Sequence, residues 1–436
     1  MFKKFSKLFK SKYKKTQQTI VKIRKSSKDI QDVEHTDKKL WINRETILPR
    51  VTIEEFIGAP QTVEYEHVPE VYFDVLQHPS SILSKSKDES AFYVNHSVRA
   101  PEMMLERLQD QYWFPESGFI ISDEGVVWRH SILGQFADPN FLTTYAVENR
   151  KSKDSKDEYF YWPHLLSNAP KISGLKMIAT HYASHNYGHF LLDMVPLLDF
   201  ASKHSIDLIV RPLTDWQKSF FELYNIKAEK ILECSERAYK LDDCIVSNRH
   251  NAVSTYCASP NHRKVYSDLL DRIKTKYPNV VSKKFPKRIF LSRSDAKTRI
   301  LKNRDEVENI LKNEGFTVIH PQEYSIPEQA VLFNSAEIIV SEFGAIMANV
   351  AFCRRGTKII EIIPSNQKDP WSVHLCSALE LDYLVHFQEI IPNATKSVVI
   401  GDKNIDNIYF EYRCNIAKLL SAIRTIDTLK LDCIAK

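Results

Sequence analysis

From about residue 171 onward, short apolar runs alternate with longer segments of helical period. Leu175–Ala179, Asp207–Val210 and Leu241–Val246 predict strands. Tyr187–His204 predicts a helix with Phe190, Leu191, Met194, Leu197 and Leu198 on its apolar side, kinked by Pro196 or starting near it. Asp215–Tyr224 and Arg263–Lys276 predict two more helices, the second ending before Pro278. Ser282–Lys287 reads as a linker. A second series then begins: strand Arg288–Leu291, a basic loop from Ser292 to Asn303, helix, strand, helix, and strand Glu337–Val340. The turn Ser341-Glu342-Phe343-Gly344-Ala345 leads into a short helix, and strand Lys358–Ile363 follows. Strands alternating with helices predict parallel sheets whose ligand crevices lie at their carboxyl edges. Tyr412–Thr428 has helical period and is expected to pack back on the first domain.

The front of the chain is patterned differently. Val51–Phe56 and Thr62–His67 look extended, and Phe119–Ser122 with Val126–Arg129 predicts a β-hairpin across Asp123-Glu124-Gly125. Residues 151–158 form a highly charged stretch, expected as an exposed loop. Residues 1–28 hold ten lysines and Arg24 with no acid, a charge of +11. The formal net charge of the chain is +5, so the other 408 residues carry −6 and binding to nucleic acid is not implied. Phe2, Phe5, Phe9, Tyr13 and Ile20 share one side of a helical wheel among those lysines. The pattern fits a basic amphipathic helix on an anionic membrane surface, or a solvated tail.

Composition removes several enzyme classes. Neither G-x-G-x-x-G nor G-x-x-x-x-G-K-[ST] occurs, so nicotinamide dehydrogenases and P-loop enzymes are unsupported. The seven cysteines contain no C-x-x-C and are expected as small buried hydrophobes in a reducing compartment. No apolar run reaches 18 residues, and the N-terminal charges are not followed by an apolar signal segment.

Three groups of residues carry candidate chemistry. In His181-Tyr-Ala-Ser-His185-Asn186-Tyr-Gly-His189-Phe-Leu-Leu-Asp193, His189 and Asp193 are four apart and meet on one helix face. A carboxylate beside an imidazole orients it as a general base for an acceptor hydroxyl. Asn186 is placed to cap the helix or hold a ligand hydroxyl, with His185 beside it. His185, His189 and Asp193 also offer a metal-binding alternative, that of a hydrolase, although Asn186 stands where the Glu of H-E-x-x-H would be. The second group is the basic loop, where Arg293 and Arg299 suit a diphosphate because guanidinium forks match phosphate oxygens. The third is Gly344 and Ala345 at a helix start, with Asn349 on that helix and Glu361 on the next strand as an acceptor for ribose hydroxyls. No D-x-D occurs, so cations and a helix start would have to neutralise a leaving diphosphate.

In order, these motifs resemble glycosyltransferase family 61, also called the DUF563 domain. Asn186-x-x-His189-x-x-x-Asp193 with Pro196, then Arg288-Ile-Phe-Leu-Ser-Arg293 with Arg299, Asn303 and Glu306, carry most of the likeness. Gly315-Phe316, Glu328-Gln329, Gly344-Ala345 with Asn349 and Phe352, and Glu361-Ile362 complete it. The turn departs from the family's frequent His-Gly-Ala, having Phe343-Gly344-Ala345. The resemblance implies an α/β fold of two Rossmann-like domains facing a cleft (GT-B type), here with a basic N-terminal extension. It implies an inverting transfer from a nucleotide sugar, uridine-linked and metal-independent, to a glycan or lipid-linked glycan such as capsular polysaccharide or lipopolysaccharide. Catalysis would fall to His189 and Asp193. Donor binding would fall to Arg293, Arg299, Gly344, Ala345, Asn349 and Glu361, and acceptor positioning to Asn186 and His185. No cofactor is expected. Domains are expected at 1–30, 31–280 and 281–400, with a helix at 401–436, in a cytoplasmic enzyme peripheral to the inner face of the plasma membrane. A non-catalytic, membrane-associated assembly factor is the remaining alternative.

Overall fold

The computed structural model describes residues 40–43, 71–75, 96–100, 105–116, 118–122, 158–161, 166–181, 183–247, 258–296, 298–367, 370–391, 396–400 and 403–428. The N-terminal basic segment, the two extended stretches at 51–56 and 62–67, and Val126–Arg129 lie outside them. The chain divides into two compact units, residues 1–69 with 102–256, and residues 70–101 with 257–436.

The first unit is built on six strands: β1 (Leu105–Phe114), β2 (Phe119–Ser122), β3 (Lys171–Ile178), β4 (Leu208–Val210), β5 (Ile231–Glu233) and β6 (Tyr239–Ser247). They lie in the order β2-β1-β6-β3-β4-β5. β6, β3, β4 and β5 are parallel neighbours, and β1 joins β6 antiparallel. Phe119–Ser122 pairs antiparallel with the preceding strand, β1, and the expected second arm of its hairpin lies outside the described residues. Ile172 and Ile178 on β3, and Leu241, Cys244 and Val246 on β6, pack with Trp113 and Ile120 in the core, while polar residues such as Lys171, Ser173 and Asp242 stay outside it.

The segment expected as one helix is three pieces. α1 (Tyr187–His189) passes into a π turn (Phe190–Met194) and then α2 (Val195–His204). Pro196 has no N–H and its ring would crowd the carbonyl four residues back, so the coil widens ahead of it. α2 and α3 (Asp215–Leu223) connect the parallel strands. The chain climbs β3 to β4 to β5 and then returns to the other side of β3 as β6, so the strand order reverses at β3.

The second unit has a five-stranded parallel sheet: β7 (Arg288–Leu291), β8 (Thr317–Ile319), β9 (Ile338–Glu342), β10 (Lys358–Pro364) and β11 (Asp382–Gln388). Its order is β8-β7-β9-β10-β11, a doubly wound sheet with its reversal between β7 and β9. Helix α4 (Asn261–Lys276), expected with the first domain, belongs to this unit, as does the early hairpin Val71–Val75 with His96–Ala100. The C-terminal helix α5 (Ile416–Thr428) was expected to return to the first domain. Instead Leu419, Ala422, Ile423 and Ile426 enter the core under β9 and β10 with Val340, Ile360 and Ile362. Its apolar stripe specifies that it packs; only the sheet supplies the complementary surface.

Candidate active site

Ligands in open parallel sheets bind outside the carboxyl ends of the strands where the strand order reverses. In the first unit the segment after β3 carries Thr180 and His181. The Thr180 and Ser184 hydroxyls are 2.8 Å apart, and Gln217 on α3 donates from Nε2 to the Ser184 carbonyl at 2.9 Å. Asn186 then caps α1, its Oδ1 accepting from the Gly188 N–H at 2.9 Å and the His189 N–H at 3.4 Å. The cap fixes where the helix starts and hence where His189 points.

His189 and Asp193 meet as their spacing predicts, with Nδ1 and Oδ2 3.0 Å apart. Asp193 is completely buried. Burial alone would raise its carboxyl pKa, but hydrogen bonds from His181 and His189 outweigh burial and hold it near 2. The carboxylate is therefore ionised and can only accept. The His189 proton must then sit on Nδ1, which leaves Nε2 as the basic nitrogen.

The sequence did not single out the third member, His181. It is fully buried, its Nε2 lies 3.4 Å from Asp193 Oδ2, and its ring packs edge-on to His189 with centroids 5.6 Å apart. His185, expected as the nearby histidine, is exposed. It precedes the Asn186 cap, so the four-residue helical spacing to His189 does not operate. The metal-binding alternative thus changes membership: His181, His189 and Asp193 bring possible ligand atoms within 4.8 Å of one another. The hydrogen bonding does not suit an ion. A histidine that ligates through Nε2 normally donates its Nδ1–H to an acceptor. Here His181 Nδ1 faces a donor, the Ala183 N–H, at 3.0 Å. That nitrogen accepts, so the His181 proton is on Nε2, which lies 3.4 Å from Asp193 Oδ2.

Arg211 follows β4 at the same edge. Burial lowers its pKa, partly offset by the charge of Glu116. Burial first, and the Arg211 charge second, also lower His185.

In the second unit the ends of β7 and β9 are neighbours, Leu291 standing opposite Ser341. Glu342, the last residue of β9, is completely buried and holds this edge together. Arg304 grips it from Nε and Nη2, both at 2.9 Å; the Arg293 backbone N–H donates to it at 2.9 Å and the Tyr412 hydroxyl at 3.3 Å. Burial and then the Glu342 charge push the Tyr412 phenol well above its ordinary pKa, so it stays neutral and donates. Arg293 also donates from Nη1 to the Phe343 carbonyl at 2.8 Å. Arg299, with a left-handed φ of 55°, places its guanidinium 5.5 Å over the Phe343 ring. Gly344 has φ 153°, and a Cβ there would come within 3.1 Å of the Arg293 guanidinium carbon. Two guanidinium groups thus converge on the turn at the reversal point, one lying against a residue with no side chain.

The remaining donor-side residues are placed less openly. Ala345 starts a 3-10 helix, Ala345–Phe352, rather than an α-helix. Asn349 is buried and its Nδ2 donates back to the Ile346 carbonyl at 3.2 Å. Glu361 is buried within the sheet layer, and its Oε2 accepts from Ser372 and Tyr383, each at 2.6 Å. Sequence reasoning missed Arg304, Glu342 and Tyr412 as partners, because their contacts join residues 38 and 70 apart.

Residues 187–360 match the family model described as Glycosyltransferase 61. The match takes in His189 and Asp193 of one unit and Arg293, Arg299, Glu342 and Gly344 of the other. That part of the chain is a glycosyltransferase 61 region, and the resemblance drawn from the motifs holds there. The matched region supports a glycosyltransferase, and that family implies a nucleotide-sugar donor and a glycan acceptor. No curated protein matched the chain by sequence.

Proposed function

We propose that this glycosyltransferase moves a sugar from a uridine-diphosphate donor to a hydroxyl of a surface glycan, such as capsular polysaccharide or lipopolysaccharide, with inversion at the anomeric carbon. The observation that carries the reading is the convergence of Arg293 and Arg299 on the Phe343–Gly344 turn at the strand-order reversal of the second unit. Guanidinium groups at that edge suit a diphosphate leaving group.

The acceptor hydroxyl gives its proton to His189 Nε2 as its oxygen attacks the anomeric carbon. The bond from that carbon to the diphosphate oxygen breaks, and the electron pair leaves with the diphosphate, whose charge Arg293 and Arg299 offset. Asp193 fixes the imidazole and stabilises the imidazolium that forms. His185 and Asn186 stand beside the base for acceptor contacts. The basic segment 1–28 would hold the enzyme on the anionic inner face of the plasma membrane, close to a lipid-linked acceptor.

Calorimetric titration with uridine diphosphate, and a screen of uridine-linked sugars for transfer or donor hydrolysis, test this. Arg293→Ala is expected to weaken nucleotide binding at least tenfold. His189→Ala is expected to lower turnover by roughly 10²–10⁴-fold while leaving nucleotide binding intact. Full activity in His189→Ala, or no binding of any uridine compound at millimolar concentration, would overturn the assignment.

A further inference from the structure

We propose that the second unit holds a further binding site, a cationic cleft at the amino edge of its sheet, for an acidic saccharide: one or two sugar rings carrying a carboxylate or a phosphate. This goes beyond the donor site and the base, and no residue of either contributes to it.

The cleft has a volume of about 410 Å³ and lies where three strands begin. Arg288 opens β7, Lys358 opens β10, and Glu337 directly precedes β9. Asp427 joins them from near the end of α5, and Arg354 and Arg355 stand on the turn before β10. The Phe343–Gly344 turn follows the opposite end of β9. A strand rises about 3.3 Å per residue, so the stretch from Arg288 to Arg293 separates the two places by roughly 15 Å.

Charge is what the cleft offers. Both carboxylates in its lining are already engaged. Asp427 accepts the Arg288 fork, Oδ1 from Nη1 at 2.9 Å and Oδ2 from Nη2 at 3.3 Å, and Glu337 has Lys287 Nζ 3.6 Å away. The Phe316 ring, 4.5 Å from the guanidinium carbon, also holds Arg288 in place. Arg355 pairs with Glu380 at 2.5 Å, and Arg263 on α4 adds its charge beside that pair. Two cations are left over. The exposed Arg354 side chain has no hydrogen-bond or ion-pair partner among the described residues. Lys358 Nζ has the Asp427 backbone carbonyl 3.4 Å away, and Asp382, opposite it on β11, feels its charge without an ion pair.

The lining limits what fits. Its apolar side chains are Ala336 and Ile338, and it contains no aromatic ring. A nucleobase has nothing to stack on there, and an apolar ligand has no wall to cover it. A single ion would leave most of the volume empty. A hydroxyl-rich ring with an anionic group matches both size and charge, its anion meeting Arg354 and Lys358. Such a ligand is of a kind with the glycan acceptor that the family implies.

Calorimetric titration of the full chain tests this. Trigalacturonate supplies carboxylates, glucose 1-phosphate a phosphate, and maltotriose no charge. At least one acidic probe should bind, the tighter one identifying the anion, and its affinity should fall as salt is raised. Maltotriose should not bind. Arg354→Glu should weaken the acidic probe by about tenfold, and Lys358→Gln by about threefold. Uridine-diphosphate affinity should stay at the wild-type value in both. Should Arg354→Glu fail to fold, Arg354→Gln and Lys358→Gln still decide. The proposal falls if neither acidic probe binds at millimolar concentration. It falls if maltotriose, inorganic phosphate or triglutamate binds as tightly as the acidic saccharides. Equal affinities in the wild type and the variants also overturn it, since the charge would then be met elsewhere, as by the basic segment 1–28. That result with normal uridine-diphosphate binding sinks this inference alone. The expected Arg354→Glu response in a protein that binds no uridine compound sinks the donor reading alone.

Discussion

A completely buried carboxylate follows β3 in the first unit, Asp193, and another ends β9 in the second, Glu342, and the two are held in opposite ways. Asp193 bonds His189 Nδ1 and has His181 Nε2 3.4 Å away, so its charge stands beside imidazoles, groups that can exchange protons. Glu342 is held by the permanent cation Arg304, a backbone N–H and a phenol. An imidazole partner can change its charge near neutral pH and a guanidinium cannot. The first arrangement suits moving a proton. The second suits fixing two loops rigidly enough to present Arg293 and Gly344. Similar burial and similar placement on a sheet thus yield different chemistry, and the partners decide which.

Substituting the two carboxylates gives the widest separation. Asp193→Asn should lower turnover by roughly 10²–10⁴-fold, since an amide no longer fixes the His189 proton on Nδ1. Uridine-diphosphate affinity should be unchanged. Glu342→Ala should instead cost roughly 3–5 kcal/mol of stability, because Arg304 is left as a largely buried, unpaired cation. Urea unfolding followed by hydrogen exchange in the second unit reads this loss. If Asp193→Asn proves to act mainly on stability, or Glu342→Ala mainly on the acid limb of turnover, the contrast fails.

Acid sharpens the same comparison. His386 on β11 is completely buried, and burial, opposed by its contact with the Asn415 carbonyl and aided by Lys418, lowers its pKa to about 4. The folded chain then binds a proton less readily than the unfolded one. The stability this contributes is complete above about pH 6.5 and is lost as pH falls from there towards 4, an amount of roughly 3 kcal/mol. His386→Gln should flatten the pH dependence of exchange in the second unit over that window. The first unit should still weaken on acidification through His181, whose pKa is also lowered by burial. Identical acid profiles for His386→Gln and wild type would remove His386 from the account.

How much of this could be read in the sequence follows from range. The strand–helix alternation, the cap at Asn186 and the His189–Asp193 pair are local, and periodicity reveals them. The π turn at Phe190–Met194 is a departure of one residue from the helical period, which a pattern in apolar positions is too coarse to register. His181 lies eight residues before His189, outside the helix; its one signal was a polar residue just beyond a strand's carboxyl end. Nothing local pairs Glu342 with Arg304, which stand 38 residues apart, and only the adjacency of β7 and β9 makes them partners. The packing of α5 depended on the same sheet order, so its amphipathic pattern predicted the helix but assigned it to the wrong unit.

The smallest effect expected is at Gly344, and it isolates presentation from stability. An alanine there meets a φ of 153°, which side chains rarely adopt, and places a methyl 3.1 Å from the Arg293 guanidinium. The Glu342 contacts need not change, so the second unit should keep most of its stability. Arg293 must shift by a few tenths of an ångström, which loosens its bond to the Phe343 carbonyl and moves the charge that meets the diphosphate. Uridine-diphosphate affinity should fall about tenfold, equivalent to about 1.4 kcal/mol, with turnover at saturating donor far less affected. Rescue by Gly344→Ala combined with Arg293→Lys, whose slimmer head clears the methyl, should be partial because the fork is lost. An unchanged affinity in Gly344→Ala would mean that the guanidinium and the turn do not act together on the donor, and the second half of the comparison would then describe stability alone.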